Sequence, residues 1–230
     1  MSRKLKRKEN RGVHLLAHNS PNSPISEQYR LIRSNIQFSS VDREIKTIVV
    51  TSSEPNEGKS TTAANLASVL AQLGKKVILV DVDFRKPTVH YTFNVSNLEG
   101  LTSVLKKEIR LDLAIVKTFV PHLDILTCGP IPPNPSELVN SKALEMVIEE
   151  LKGEYDYIVF DTPPVLAVTD SQIMASKADG VVMVVASGKT NKDRAMKTRD
   201  LLETARAKII GVVVNGVKAT KDHYNYQYGN

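Results

Sequence analysis

Short runs of β-branched and aliphatic residues alternate along the chain with longer segments in which apolar residues recur every three or four positions. This is the pattern of strands and amphipathic helices taken in turn. Strands are predicted at Thr47–Thr51, Val77–Val82, Leu123–Leu126, Tyr157–Asp161, Gly180–Ala186 and Lys208–Asn215. All but the third are apolar almost throughout, as expected of strands covered by helices on both faces, so the pattern predicts an α/β fold with a mostly parallel, twisted sheet. The alanine-rich stretch after the first strand (Ala63, Ala64, Leu66, Ala67, Leu70, Ala71) has helical spacing. A further helix is predicted over Ser26–Ser39, with Ile25, Tyr29, Ile32 and Ile36 on one arc to be buried. Glu27, Arg30 and Arg33 form a strip of both signs beside that arc, suited to a solvated flank or to a glutamate of one subunit meeting arginines of the next. His18–Ser26 reads as a linker, the proline-rich 130–135 as a stiff connection, and Asn134-Pro135-Ser136-Glu137 as a capped helix start. From Val217 onward apolar periodicity is lost and the chain ends in DHYNYQYGN, an exposed tail. The division expected is a tail and linker over 1–25, one domain over 26–216 with 26–39 as an oligomerisation helix, and a tail over 217–230.

The candidate chemistry lies at strand ends. TSSEPNEGKSTT, residues 51–62, is a turn between a strand and a helix, the setting a phosphate-binding loop needs. Backbone N–H groups around Gly58 can wrap phosphate oxygens, Lys59 can reach the β- and γ-phosphates and Ser60 can bind Mg²⁺. Ser53 stands where the common G-x-x-x-x-G-K-[ST] pattern has glycine. Asp81 and Asp83 follow the second strand and Asp161 ends the fourth, so a parallel sheet delivers three carboxylates to the edge that carries the loop. Each has an ordinary reading as a turn residue. Together with the loop they point to a nucleotide and a metal.

Charge and composition narrow this. The 230 residues carry a formal charge of +6, but Arg3, Lys4, Lys6, Arg7, Lys8 and Arg11 stand against Glu9 alone in the first eleven positions, so the basicity belongs to the N-terminus. Such a run suits a solvated end, an acidic partner or an anionic membrane surface. The body has no basic stripe interleaved with aromatics, which argues against nucleic acid. The one cysteine, Cys128, can form no internal disulfide. No apolar run approaches the roughly 18 residues that span a bilayer, and the basic N-terminus lacks the apolar core of a signal peptide.

SEPNEGKST, ILVDVDFRKP and YIVFDTPP resemble the Walker A, Walker A′ and Walker B motifs of the bacterial tyrosine kinases, specifically the cytoplasmic kinases of Gram-positive capsule or exopolysaccharide systems. The Glu27-x-x-Arg30-x-x-Arg33 strip and Tyr224, Tyr226 and Tyr228 match two further features, and the resemblance covers nearly the whole chain from Ile25. It implies a P-loop NTPase fold of about seven strands with ATP and Mg²⁺ as cofactors. By that resemblance Lys59 contacts the transferred phosphoryl group, Ser60 and Asp81 coordinate Mg²⁺, and Asp161 completes the metal site. Asp83 assists at the γ-phosphate or accepts the tyrosine proton; which aspartate is the base stays open. The nucleotide would lie on Ser53, Glu57, Gly58, Lys59, Ser60 and Thr61, with Arg85 a second phosphate contact or a salt bridge, and Asn215 an adenine contact or a turn residue. The resemblance further implies autophosphorylation of Tyr224, Tyr226 and Tyr228 between subunits of a ring joined through Glu27, Arg30 and Arg33. Its implied partners are a membrane-embedded activator that recruits the cytoplasmic enzyme to the inner membrane face, a phosphatase and other tyrosine substrates. MinD- and ParA-like assembly ATPases share the fold class. They usually carry a lysine where this chain has Glu54, and MinD-like chains end in an amphipathic helix rather than in tyrosines.

Overall fold

The computed structural model describes residues 13–39 and 44–217. The basic run at the N-terminus and Tyr224, Tyr226 and Tyr228 lie outside them. A short helix α1 (Leu16–Asn19) precedes α2 (Pro24–Phe38), whose start is capped where the Ser23 hydroxyl accepts from Ser26 N at 3.2 Å, with proline in the first turn. Leu15 and Ala17 are buried, so packing begins ahead of the predicted linker. Tyr29 and Ile36 are buried as expected, but Ile25 is 50% exposed. The inward position is taken by Ser26, whose hydroxyl donates to Ser20 O at 2.7 Å and so can be buried without loss.

From there strand and helix alternate. In order they are β1 (Thr47–Ser52), α3 (Lys59–Ala71), β2 (Val77–Asp81), α4 (Val89–Phe93), α5 (Leu101–Leu105), α6 (Leu111–Ala114), β3 (Ile115–Lys117), β4 (Leu123–Leu126), α7 (Pro135–Val139), α8 (Lys142–Glu154), β5 (Tyr157–Asp161), α9 (Asp170–Lys177), β6 (Gly180–Ala186), α10 (Lys192–Thr204) and β7 (Ile209–Asn215). Among the described residues these strands make one seven-stranded sheet ordered β3-β4-β2-β5-β1-β6-β7, parallel except for β3. It is a doubly wound α/β sheet, as the alternating pattern predicts. Alternate strand residues feed two cores. Ile78, Val80, Ile158 and Phe160 pack on the side of α5, α8, α9 and α10, while Leu79, Val159, Ile48 and Val50 pack on the side of α1, α2 and α3. Helices on both faces are the reason these strands are apolar at every position.

Two strands depart from the pattern. β3 was not foreseen, because three residues at an antiparallel edge, none of them buried, leave no apolar run to read. β7 is not covered on both faces as its composition suggested: Val212 and Val214 are 56% and 54% exposed, since the strand closes the other edge of the sheet.

Candidate active site

β1 lies at the centre of the sheet, between β5 and β6, so the turn after it opens over the carboxyl ends of three strands. Register then decides which acids meet: Val50 pairs with Asp161, and Asp161 pairs with Asp81 one strand further on. The loop bends into α3 at Gly58, whose φ of +98° is a left-handed conformation in which a side chain is strained. A Cβ there would lie 2.0 Å from Asn215 Nδ2, which itself donates to the Glu57 carbonyl at 3.0 Å. The last strand thus braces the loop through an amide side chain, and glycine is the residue that leaves room for it. The alanines of α3 serve the same closeness, for the helix is buried from Thr62 to Ala71 against the central strands.

Lys59 Nζ lies 2.9 Å from Asp83 Oδ2, 3.3 Å from Asp161 Oδ1 and 3.1 Å from Ser60 Oγ. Burial works to lower its pKa, but Asp161, Asp83 and Asp81 together raise it well above the ordinary value, so the ammonium stays charged. Asp81 and Asp161 are fully buried, and burial pushes both carboxyls up. Asp81 reaches about 7 with the help of the Asp161 charge, while Lys59 and Ser60 hold Asp161 back in part. Asp161 Oδ2 is buried without a hydrogen-bond partner. Three carboxylates around one lysine, two of them raised and one with an idle oxygen, form a place short of positive charge. The donor set of Ser60 hydroxyl and Asp161 carboxylate fits a Mg²⁺ that completes its shell with phosphate and water. Among the described residues no group of three or more His, Cys, Asp or Glu forms an all-protein metal cage, and such a Mg²⁺ needs none.

The remaining predicted residues separate. Asp81 accepts from the amides of Asp83 at 3.1 Å and of Thr88 and Val89 at 3.0 Å each, so it shapes the turn after β2 from behind, while Asp83 is the acid that touches Lys59. The Glu57 carboxylate is engaged within the protein, accepting from Glu54 N of the same loop at 3.0 Å and from the Thr190 hydroxyl. Ser53 is fully buried with its hydroxyl unpartnered, and Thr61, in the first turn of α3, is partly exposed. Arg85 forms the salt bridge, 3.2 Å from Asp170, rather than standing free. Asp170 also accepts from Ser136 at 2.6 Å, and Arg194 reaches Glu54 at 3.1 Å. The sequence offers Ser136 only as part of a helix start and does not mark Asp170, Thr190 or Arg194. An acid or serine opening a helix and an arginine on an exposed helix face carry no signal until the fold brings their partners close. Glu27, Arg30 and Arg33 lie far from the loop. Glu27 pairs with Arg30 on the same helix, and Arg33 donates to Val69 O of α3 at 2.8 Å.

Comparison with known proteins gives the chain its relatives. A family model described as an AAA domain matches residues 45–206. The tyrosine-protein kinase YwqD of Bacillus subtilis is 51% identical over 225 residues, 96% of this chain and 94% of that protein. The putative tyrosine-protein kinase CapB of Staphylococcus aureus is 42% identical over 216 residues, covering 94% of this chain and 95% of its own. The crystal structure of a chimerical protein, CapA2B2, superposes with a TM-score of 0.87 at 47% identity, over 89% of this chain and 90% of that one. With a P-loop whose Lys59 lies between Asp83, in the turn after β2, and Asp161, at the end of β5, and with such relatives over nearly its whole length, the chain belongs to the bacterial tyrosine-protein kinases.

Proposed function

We propose that this kinase uses ATP and Mg²⁺ to phosphorylate Tyr224, Tyr226 and Tyr228 of its own C-terminal segment, each subunit acting on a neighbour. The observation that carries the reading is the position of Lys59 Nζ, at the mouth of the loop and shared by Asp83 and Asp161. Phosphoryl transfer asks for positioning and charge neutralisation more than for covalent chemistry. Ser60 and Asp161 would hold Mg²⁺, which neutralises phosphate charge when bound, with Asp81 behind them. Lys59 leaves the carboxylates to bind the β- and γ-phosphates, and Asn215 keeps the loop open around them. That departure frees Asp83 Oδ2 to take the proton of an incoming tyrosine hydroxyl as its oxygen bonds to the γ-phosphorus and the bond to the departing ADP breaks.

The finer organisation follows from the same reading. The 26–39 helix presents Glu27 and Arg30 of the strip to the next subunit while Arg33 anchors the helix on α3, 26–216 is the kinase domain, and 217–230 is the substrate tail, whose extended reach of roughly 45 Å spans to a neighbouring site. The rotation between subunits closes a ring, and tails carrying about −1.5 to −2 per phosphotyrosine are repelled by the acidic site and loosen it. Family membership supports a role in capsular or exopolysaccharide synthesis, other tyrosine substrates and a phosphatase that resets them. It also supports a membrane-embedded activator that draws a cytoplasmic enzyme to the inner face of the membrane. No helix among the described residues is long and apolar enough to cross a membrane, which is consistent with recruitment by a partner.

The test mixes a Lys59→Met chain, which keeps its tyrosines, with a Tyr224/Tyr226/Tyr228→Phe chain, which keeps its site, in Mg-ATP. Intact-mass and peptide mass spectrometry should find phosphate on the tail of the Lys59→Met chain and none when it is incubated alone. Labelling of Lys59→Met alone would overturn the site. Nucleotide hydrolysis by wild type with no labelled tyrosine would point instead to an assembly ATPase of the MinD or ParA type.

A further inference from the structure

β7 closes one edge of the sheet, and among the described residues no strand pairs with its free side. The pairing to β6 fixes which backbone groups face outward. The Asn215 carbonyl accepts from Ser187 N at 2.8 Å, so Asn215 and, two residues back, Val213 turn their backbone groups inward, while Val212 and Val214 turn theirs away from the sheet. The side chains of these same two residues are the exposed ones, 56% and 54%, on the face opposite Val213, and Met196 of the helix on that face is 44% exposed. An edge with free N–H and C=O groups beside bare apolar side chains is a template for another strand.

A segment of matching pattern begins where β7 ends. Residues 218–230 follow Val217, and in DHYNYQYGN the tyrosines at 224, 226 and 228 alternate with Asn225 and Gln227, which in an extended chain puts all three rings on one face. Gly216, at φ +74°, already turns the chain after β7. With residues 216–222 as a seven-residue connection after β7, Tyr224 comes opposite Val214 and Tyr226 opposite Val212. In that register the outward backbone groups of Val212 and Val214 are the ones that bond, and rings and valines share a face.

We propose that the unphosphorylated C-terminal segment of this same chain adds to the free edge of β7 as an antiparallel strand, its tyrosines lying on Val212 and Val214. The docking itself needs no kinase activity. Its consequence rests on the function proposed above: tyrosines held on their own body are withheld from a neighbour's site, so transfer must first peel the strand away. A phosphate would put charge against the valines and hinder its return.

The test uses phosphatase-treated full-length protein. Val214→Cys with Tyr224→Cys should form an intrachain disulfide under mild oxidation, while Val214→Cys with Asn225→Cys, pointing to the other face, should form much less; Cys128 is buried and does not compete. In the chain with no added cysteines, amides 222–228 should exchange about tenfold more slowly than in a Val212→Lys/Val214→Lys chain, in which the edge is charged. Equal disulfide yields at 224 and 225, or tail amides that exchange equally in both chains, would overturn the proposal. Disulfide-linked dimers as the main product would overturn it in favour of a second copy's tail. If Mg-ATP labels no tyrosine yet the disulfide and the protection are present, the docking stands and the kinase reading falls. If docking and labelling both hold, Val212→Lys/Val214→Lys should label faster than wild type.

Discussion

Asp179 shows how much one residue can tie together. Its Oδ2 accepts from Lys46 N at 3.1 Å, Thr47 N at 2.8 Å and the Thr47 hydroxyl at 2.7 Å, joining the start of β1 to the residue before β6. Burial alone would raise its carboxyl pKa, but the Thr47 hydroxyl and the two amides outweigh burial and hold it below the ordinary value. A depressed folded-state pKa means stability that is present above the unfolded value, about 3.9, and is lost as pH falls through the folded one. Asp179→Asn should therefore cost about 1–3 kcal/mol at neutral pH. Urea melts of both chains should show that gap shrinking below about pH 4; a constant gap would mean that the charge is not what matters.

Among elements, the turn from β1 to α3 depends on β7, which supplies Asn215 from 158 positions away. Gly58→Ala should destabilise the protein by about 1–3 kcal/mol, from left-handed strain and the collision with the amide. Asn215→Ala in the same chain should restore part of that loss by making room, leaving the strain. Denaturant midpoints of the two single variants and the double variant measure the coupling, and additive losses would show that the two residues do not meet. The elements themselves were legible from periodicity wherever helices covered both faces, as at β1, β5 and β6. β3 was hidden because a three-residue antiparallel edge strand has no pattern long enough to repeat.

For the whole molecule, the strip on α2 divides. Arg33 donates to a carbonyl of α3 and its Nε is buried without a partner, whereas Glu27 and Arg30 form an exposed pair. Arg33→Ala should lower the melting temperature of dilute protein more than Arg30→Ala, which removes an exposed pair with Glu27 and an exposed hydrogen bond to Pro21 O at 2.7 Å. Equal losses would return Arg33 to the surface strip. Assembly is therefore better probed at Glu27 and Arg30. The doubly wound class, the phosphate loop and the three carboxylates all stood in the chain, because each is a local matter of an apolar run, a glycine turn or an acid ending a strand. Neighbours far apart in sequence could not be read the same way. That Asp83 rather than Asp81 meets Lys59, that Asp170 takes Arg85, that Glu57 turns back to Thr190 and that β7 keeps a bare edge all depend on strand order and register. Those follow from how two cores are filled at once, which no single stretch of residues encodes.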